Sequence, residues 1–219
     1  MAFDRAMENN VPGDRPDPAA HLKAVALRLF AERGIDGVTV RQIAEEAGQK
    51  NHAALTYHFG SKDALIRTLI ADGARAIDDR RNAWLDRAEA AGGPHSVLEV
   101  MEGLVRTSVA AAPPPDGEYY NRFILGVQIS NHALFMDALE GKWNRGYQRC
   151  LSHVRRLLPG IAPRDINQRL MFMGAALGGI LAARERELSD RSRPHAMWSQ
   201  NRTLSRIASG LAAMIAHPG

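Results

Sequence analysis

A single cysteine, Cys150, in 219 residues excludes an internal disulfide framework and any multi-cysteine zinc site, and it makes a reducing compartment, the cytoplasm, the expected location. Aromatic residues are scarce at 6%, while Ala, Leu, Arg and Glu recur, which argues against a β-sandwich or barrel and for helices. No apolar run is long enough for a membrane. The longest, 170–183, is bracketed by Arg169 and Arg184, falls short of the roughly 20 residues a span needs, and reads as a buried helix. No excess of one charge is large enough to name a partner: the net charge is +4, and over residues 1–62 eight Lys and Arg meet eight Asp and Glu. Residues 1–16 mix acids and bases without an apolar stretch, so they read as a disordered arm rather than a secretory signal. Catalytic signatures are missing too. HExxH, GxSxG and Walker patterns do not occur, the eight histidines are scattered singly, and the i, i+3 pair Cys150 and His153 reads as incidental. The expectation is a chain that is not an enzyme, with no metal, no cofactor and no membrane partner.

What is present is helical punctuation. Asp17 followed by Pro18 opens a helix whose Leu22, Val25, Ala26, Leu29 and Phe30 share one face, and Gly34 ends it. Thr39 and Gln42 form a capping box, with Val38 placed to staple onto Ile43. The second helix carries Ile43, Ala44 and Ala47 inward and stops at Gly48, a residue suited to a left-handed cap. Asn51 is a good N-cap for a third short helix over 52–58. Ser61 caps a long fourth helix carrying Leu65, Ile66, Leu69, Ile70, Ile77 and Trp84, ended by the glycines at 92 and 93.

Farther on, Ser96 and Glu99 make another capping box, and the prolines at 113–115 are a stop. The pattern then predicts a helix over 119–128, a long one from Asn131 through Trp143 and Tyr147 to Val154, one from Pro163 to about 188, and a last one after Pro194. The sum is an all-α chain of about nine helices, divided into a three-helix head over 17–62 and a helical body over 63–219.

Two short capped helices joined by a glycine-containing turn describe a helix-turn-helix, whose second helix enters the DNA major groove. Packing Leu55 and Phe59 inward leaves His52, Ala53, Thr56 and Tyr57 outward, where His52 and Thr56 can hydrogen-bond base edges and Ala53 can approach closely. The helix starts at Thr39 and Ser61, with Arg41, Tyr57 and Lys62, form a phosphate clamp. Asn51 and His58 complete the candidate DNA-binding set. His58 reads either as a structural residue at the helix end or as a base reader, and Tyr57 fits both roles. Glu45 and Glu46 read as a solvated face with no role, since carboxylates repel phosphate. The same helices also suit an all-helical protein that binds a ligand or partner and touches no DNA.

The order Leu29-Phe30 before Gly34, then Thr39-Val40-x-x-Ile43-Ala44-x-x-Ala47-Gly48, then Tyr57-His58-Phe59-x-Ser61-Lys62-x-x-Leu65 resembles the DNA-binding domain of the tetracycline-repressor (TetR) family. The resemblance covers about residues 18–66. It implies a homodimer that inserts its third helices into successive major grooves of a near-palindromic operator, and a helical body that binds a small effector, released DNA being the response. Thr39 and Lys62 would then hold phosphate while the third helix reads bases. The chain departs from the family in having one residue more between Gly48 and Phe59, which leaves the register of the reading face open by one. The family's phosphate-binding tyrosine would fall at Thr56, with the tyrosine itself at 57.

Candidate pocket residues in the body are Trp84, Met101, Phe123, Met136, Trp143, Met171 and Phe172, large or adaptable side chains suited to an apolar effector. The small residues of the eighth helix and the stripe of the ninth read either as burial within one subunit or as the dimer interface that the family resemblance implies, with Gly174, Leu177, Gly178, Leu181, Leu204, Ile207 and Leu211 as its candidates.

Overall fold

A computed structural model of the chain describes residues 17–49, 53–109 and 119–217. The expected arm over 1–16, the cap at Asn51, the reader His52 and the proline stop at 113–115 lie outside the described residues. Among the described residues there are eleven helices and no strand: α1 (Pro18–Arg33), α2 (Val40–Glu46), α3 (Ala53–Phe59), α4 (Lys62–Ala90), α5 (Val97–Val109), α6 (Tyr120–Ser130), α7 (His132–Leu139), α8 (Arg145–Leu157), α9 (Pro163–Ser189), α10 (Ala196–Ser199) and α11 (Asn201–Ala216).

Local chemistry explains the head. The Asp17 carboxylate accepts from Ala19 N at 3.1 Å, and Pro18 starts α1 where no N–H is needed. Thr39 Oγ1 accepts from Gln42 N at 3.2 Å while Gln42 Oε1 accepts from Thr39 N at 2.8 Å, the reciprocal capping box. Val38 and Ile43 are fully buried in one cluster, as a staple requires. Gly48 takes φ +65° after α2, and Ser61 Oγ accepts from Ala64 N at 3.1 Å to open α4.

The count of nine helices is corrected at two places. The long helix expected from Asn131 breaks after Leu139, because Glu140, Gly141 and Trp143 all adopt positive φ before α8 restarts. Apolar residues continue at helical spacing through this break, so periodicity misses it. The restart is paid for from α4, whose Asp78 Oδ1 accepts from Gly146 N at 2.7 Å. The last helix is likewise preceded by a single turn, α10, hung on the His195 carbonyl. The second capping box is shifted by one: Ser96 Oγ accepts from Glu99 N, but Glu99 Oε2 reaches His95 N at 2.8 Å.

Two apolar cores divide the molecule. The first joins α1 to α3 and the beginning of α4 to Tyr120, Phe123 and Val127 of α6 and Leu134 of α7. The second gathers α5, α8, α9, α11 and Leu85 of α4. The 29 residues of α4, about 44 Å of helix, therefore run from one core into the other. Phe30 of α1 stacks on Phe123 of α6 with centroids 6.0 Å apart, the direct aromatic link between head and body.

Buried polar groups tie the body together. Arg81 donates to Thr107 Oγ1 at 3.2 Å and Ser108 Oγ at 2.9 Å, both on α5. Glu185 of α9, 1% exposed, accepts from Asn121 N, Asn121 Nδ2 and Arg122 N at 2.7 to 3.0 Å, and so caps the start of α6. Burial pushes the Glu185 carboxyl above its ordinary range despite those donors.

Candidate nucleic-acid interface

In α3, Leu55 is fully buried and Phe59 is half-buried against the first core, while Ala53, Thr56 and Tyr57 are exposed. Their i, i+3, i+4 spacing puts these three on one face. Tyr57 is 86% exposed, an unusual cost for so large a ring in a free domain. Its ring meets His58 edge-on at 5.1 Å, and exposed His58 stands to the side of the face.

Around this face the helix starts differ in charge. Lys62 opens α4 beside the Ser61 cap, and its ammonium lies 6.0 Å from the centroid of the Phe30 ring with no ion pair among the described residues. A cation so placed at a helix N-terminus, where N–H dipoles also point outward, attracts phosphate. Arg41 is exposed on α2, but its Nε donates to Glu45 at 2.7 Å, and that bond raises its pKa further. Its charge is therefore partly screened. Thr39 keeps its hydroxyl in the capping box, so the phosphate contact available there is the helix end rather than a spare hydroxyl.

Glu45 and Glu46 are exposed, the solvated face expected of them, and each also holds an ion pair. Glu45 neutralises Arg41, and Glu46 accepts from Arg28 at 2.7 Å, joining α2 to α1; this partner holds the Glu46 carboxyl below its usual range. The first pairing was readable from i, i+4 spacing. The second, across 18 residues, depends on how the helices pack.

The other expected sites are scattered. Met101 is buried in the second core with half-buried Trp84 packed on it, Phe123 is buried in the first, Trp143 lies half-buried with the Arg75 guanidinium 5.7 Å from its ring, and Met136, Met171 and Phe172 are exposed. The structure does not bring these seven together. Of the residues expected between subunits, Leu177, Leu181, Ile207 and Leu211 pack inside this chain's second core, and Gly174, Gly178 and Leu204 are half-buried. The large exposed apolar side chains on α9 and α11 are Met171, Phe172 and Met214. Cys150 is buried and burial pushes its thiol up to about 11, while His153 is taken by Glu89 and Arg156. Among the described residues, no helix is long and apolar enough to cross a membrane.

Residues 22–69 match the model of bacterial regulatory proteins, tetR family. Over 170 residues, 74% of each protein, the chain is 31% identical to the transcriptional dual regulator CecR of Shigella flexneri. It is 28% identical over 132 residues, 60% of this chain, to the transcriptional repressor AcnR of Corynebacterium efficiens, and spans 59% of that protein's length. The fold resembles that of a tetR-family regulatory protein from Rhodococcus RHA1, with a TM-score of 0.63, 15% identity, and coverage of 94% of this chain and 100% of that one. With its capped head, exposed third-helix face and relatedness to CecR across three quarters of its length, the chain belongs to the tetR family of bacterial regulatory proteins.

Proposed function

We propose that this chain is a ligand-responsive transcriptional repressor of the cytoplasm, which binds a near-palindromic operator as a homodimer and releases it when a small apolar molecule occupies the body. The observation that carries the reading is the exposed Ala53, Thr56 and Tyr57 face of α3, followed at the start of α4 by Lys62, whose ammonium has no ion pair among the described residues. Such a face suits base edges, and such a cation suits the phosphate rail. The name of AcnR supports repression, and that of CecR supports regulation in a wider sense.

In this reading Thr39, Arg41 and Lys62 hold register on phosphate, Arg41 sharing its charge with Glu45. Ala53, Thr56 and Tyr57 face the groove with His58 at its margin, and Asn51 and the base reader His52, which lie outside the described residues, complete the candidate set. Two heads sit one helical turn apart, about 34 to 36 Å. Dimerisation uses α9 and α11 through exposed Met171, Phe172 and Met214 together with half-buried Gly174, Gly178 and Leu204, while Leu177, Leu181, Ile207 and Leu211 support that face from inside the chain's own core. An effector bound in the body, touching some of the candidate pocket residues, displaces α4 and changes the head spacing. A coupling of about 1 to 3 kcal/mol suffices for roughly 5- to 150-fold in operator affinity.

Selection of genomic fragments at physiological salt, followed by gel shift, tests the reading directly. Lys62→Ala should weaken binding to every duplex and flatten the logarithmic salt slope by about 0.9 per subunit. An unchanged slope would remove Lys62 from the phosphate set, and no retained duplex at low salt would overturn DNA binding in favour of a helical ligand-binding or partner-binding protein.

A further inference from the structure

A cavity of about 260 Å³ lies between the end of α1 with the turn that follows it and the face of α6 that meets α1. Its floor is apolar: Phe30 and Ile35 from the head, Phe123 and Val127 from the body, all buried. One wall is low because residue 126 is glycine; a Cβ added there would meet nothing within 4 Å. At the rim stand two opposite charges, Arg33 and Asp36, both exposed. Neither forms an ion pair or side-chain hydrogen bond among the described residues, with each other or with anything else, and Arg33 acts on Glu46 only at a distance. Asp36 is also close in sequence to the end of α1, where the helix presents its negative pole.

We propose that this seam is a binding site for a small zwitterion with an apolar side chain, an α-amino acid of the leucine or phenylalanine kind. The side chain rests on Phe30, Ile35, Phe123 and Val127. Arg33 takes the carboxylate, and Asp36 with the negative end of α1 takes the ammonium. The volume lies just below the usual range of small-molecule sites, which suits a ligand of about ten heavy atoms and excludes a drug-sized one. A ligand with only one charge leaves the opposite rim group unmatched. The site takes only Phe123 from the candidate pocket residues of the body, and it spans the Phe30 and Phe123 contact through which α1 meets α6.

Titration calorimetry of the full chain tests this without DNA, so its failure leaves the regulatory reading intact and the converse also holds. The probes are L-leucine, 3-methylbutylamine and 4-methylpentanoate, which share one side chain and differ in charge. Saturable binding of one leucine per chain is expected, with each single-charge analogue weaker by about fivefold, the scale of one exposed charge contact. Arg33→Gln should weaken leucine and the acid but not the amine, and Asp36→Asn should weaken leucine and the amine but not the acid. Gly126→Leu should abolish binding of all three while keeping its helical circular dichroism. If Gly126→Leu fails to fold, the two rim variants, which alter exposed groups, carry the test. No saturable heat from leucine, or equal binding of all three probes, would overturn the proposal.

Discussion

In the head, Thr39 and Gln42 satisfy each other across three residues and Arg41 pairs with Glu45 across four. In the body, Arg81 reaches hydroxyls 26 and 27 residues away, Glu185 holds α6 across 63 and 64, and Asp78 caps α8 across 68. The head's bonds are exposed and compete with water, so each is worth little and is easily replaced. In the body the side chains of Asp78, Arg81 and Glu185 are buried, so a missing partner leaves a desolvated group behind. The first region is built for presentation at a surface, and the second holds the geometry of α4, α6 and α9 rigidly around that surface's support.

This contrast should break first at Glu185. Glu185→Ala leaves the Asn121 and Arg122 N–H groups without their acceptor and should lower unfolding stability by on the order of 3 kcal/mol, read from the urea midpoint. A loss below about 1 kcal/mol would show that the buried network matters no more than a surface pair.

The next effect is alkaline. Burial raises the Cys150 thiol from about 9 to about 11, so its neutral form is the one the fold favours. A raised folded-state pKa contributes stability that is complete below pH 9 and disappears as the pH climbs through about 11. Between those values the parent chain should lose about 2 kcal/mol more than Cys150→Ala. Parallel pH profiles for the two proteins would contradict the assignment.

Smaller again is Thr39→Ala, which removes one side of the capping box and should cost about 1 kcal/mol. A thermal melt of the two proteins checks it. Smallest is Arg28→Ala, which frees Glu46 and should cost at most about 1 kcal/mol, because the pair is partly exposed. Should Arg28→Ala prove as costly as Glu185→Ala in the same urea titration, the contrast between head and body would not hold.

The scaffold of the candidate site was legible in residue order, and for a specific reason. Caps at Asp17, Thr39 and Ser61 act over two or three residues, so the beginnings of α1, α2 and α4 follow from residue order alone. The inward set Ile43, Leu55 and Leu65 follows from periodicity in the same way. What escaped was whatever depends on a distant neighbour. The break at Glu140 to Trp143 carries an apolar pattern that continues across it, and the nitrogen that steadies the restart is matched by Asp78 on another helix. Leu177, Leu181, Ile207 and Leu211 formed a clear stripe, yet only packing reveals that the stripe faces its own chain.

Residue order was enough to establish an all-helical chain with a capped three-helix head and an outward third helix, because capping and amphipathicity operate within a few residues of where they are written. Packing settled which charges remain available at the head, how α7 and α8 separate, which apolar faces are consumed inside one chain, and that Phe30 and Phe123 border a cavity with Arg33 and Asp36 at its edge. Those outcomes turn on contacts between residues tens of positions apart, and spacing along the chain carries no record of which of the possible neighbours will arrive.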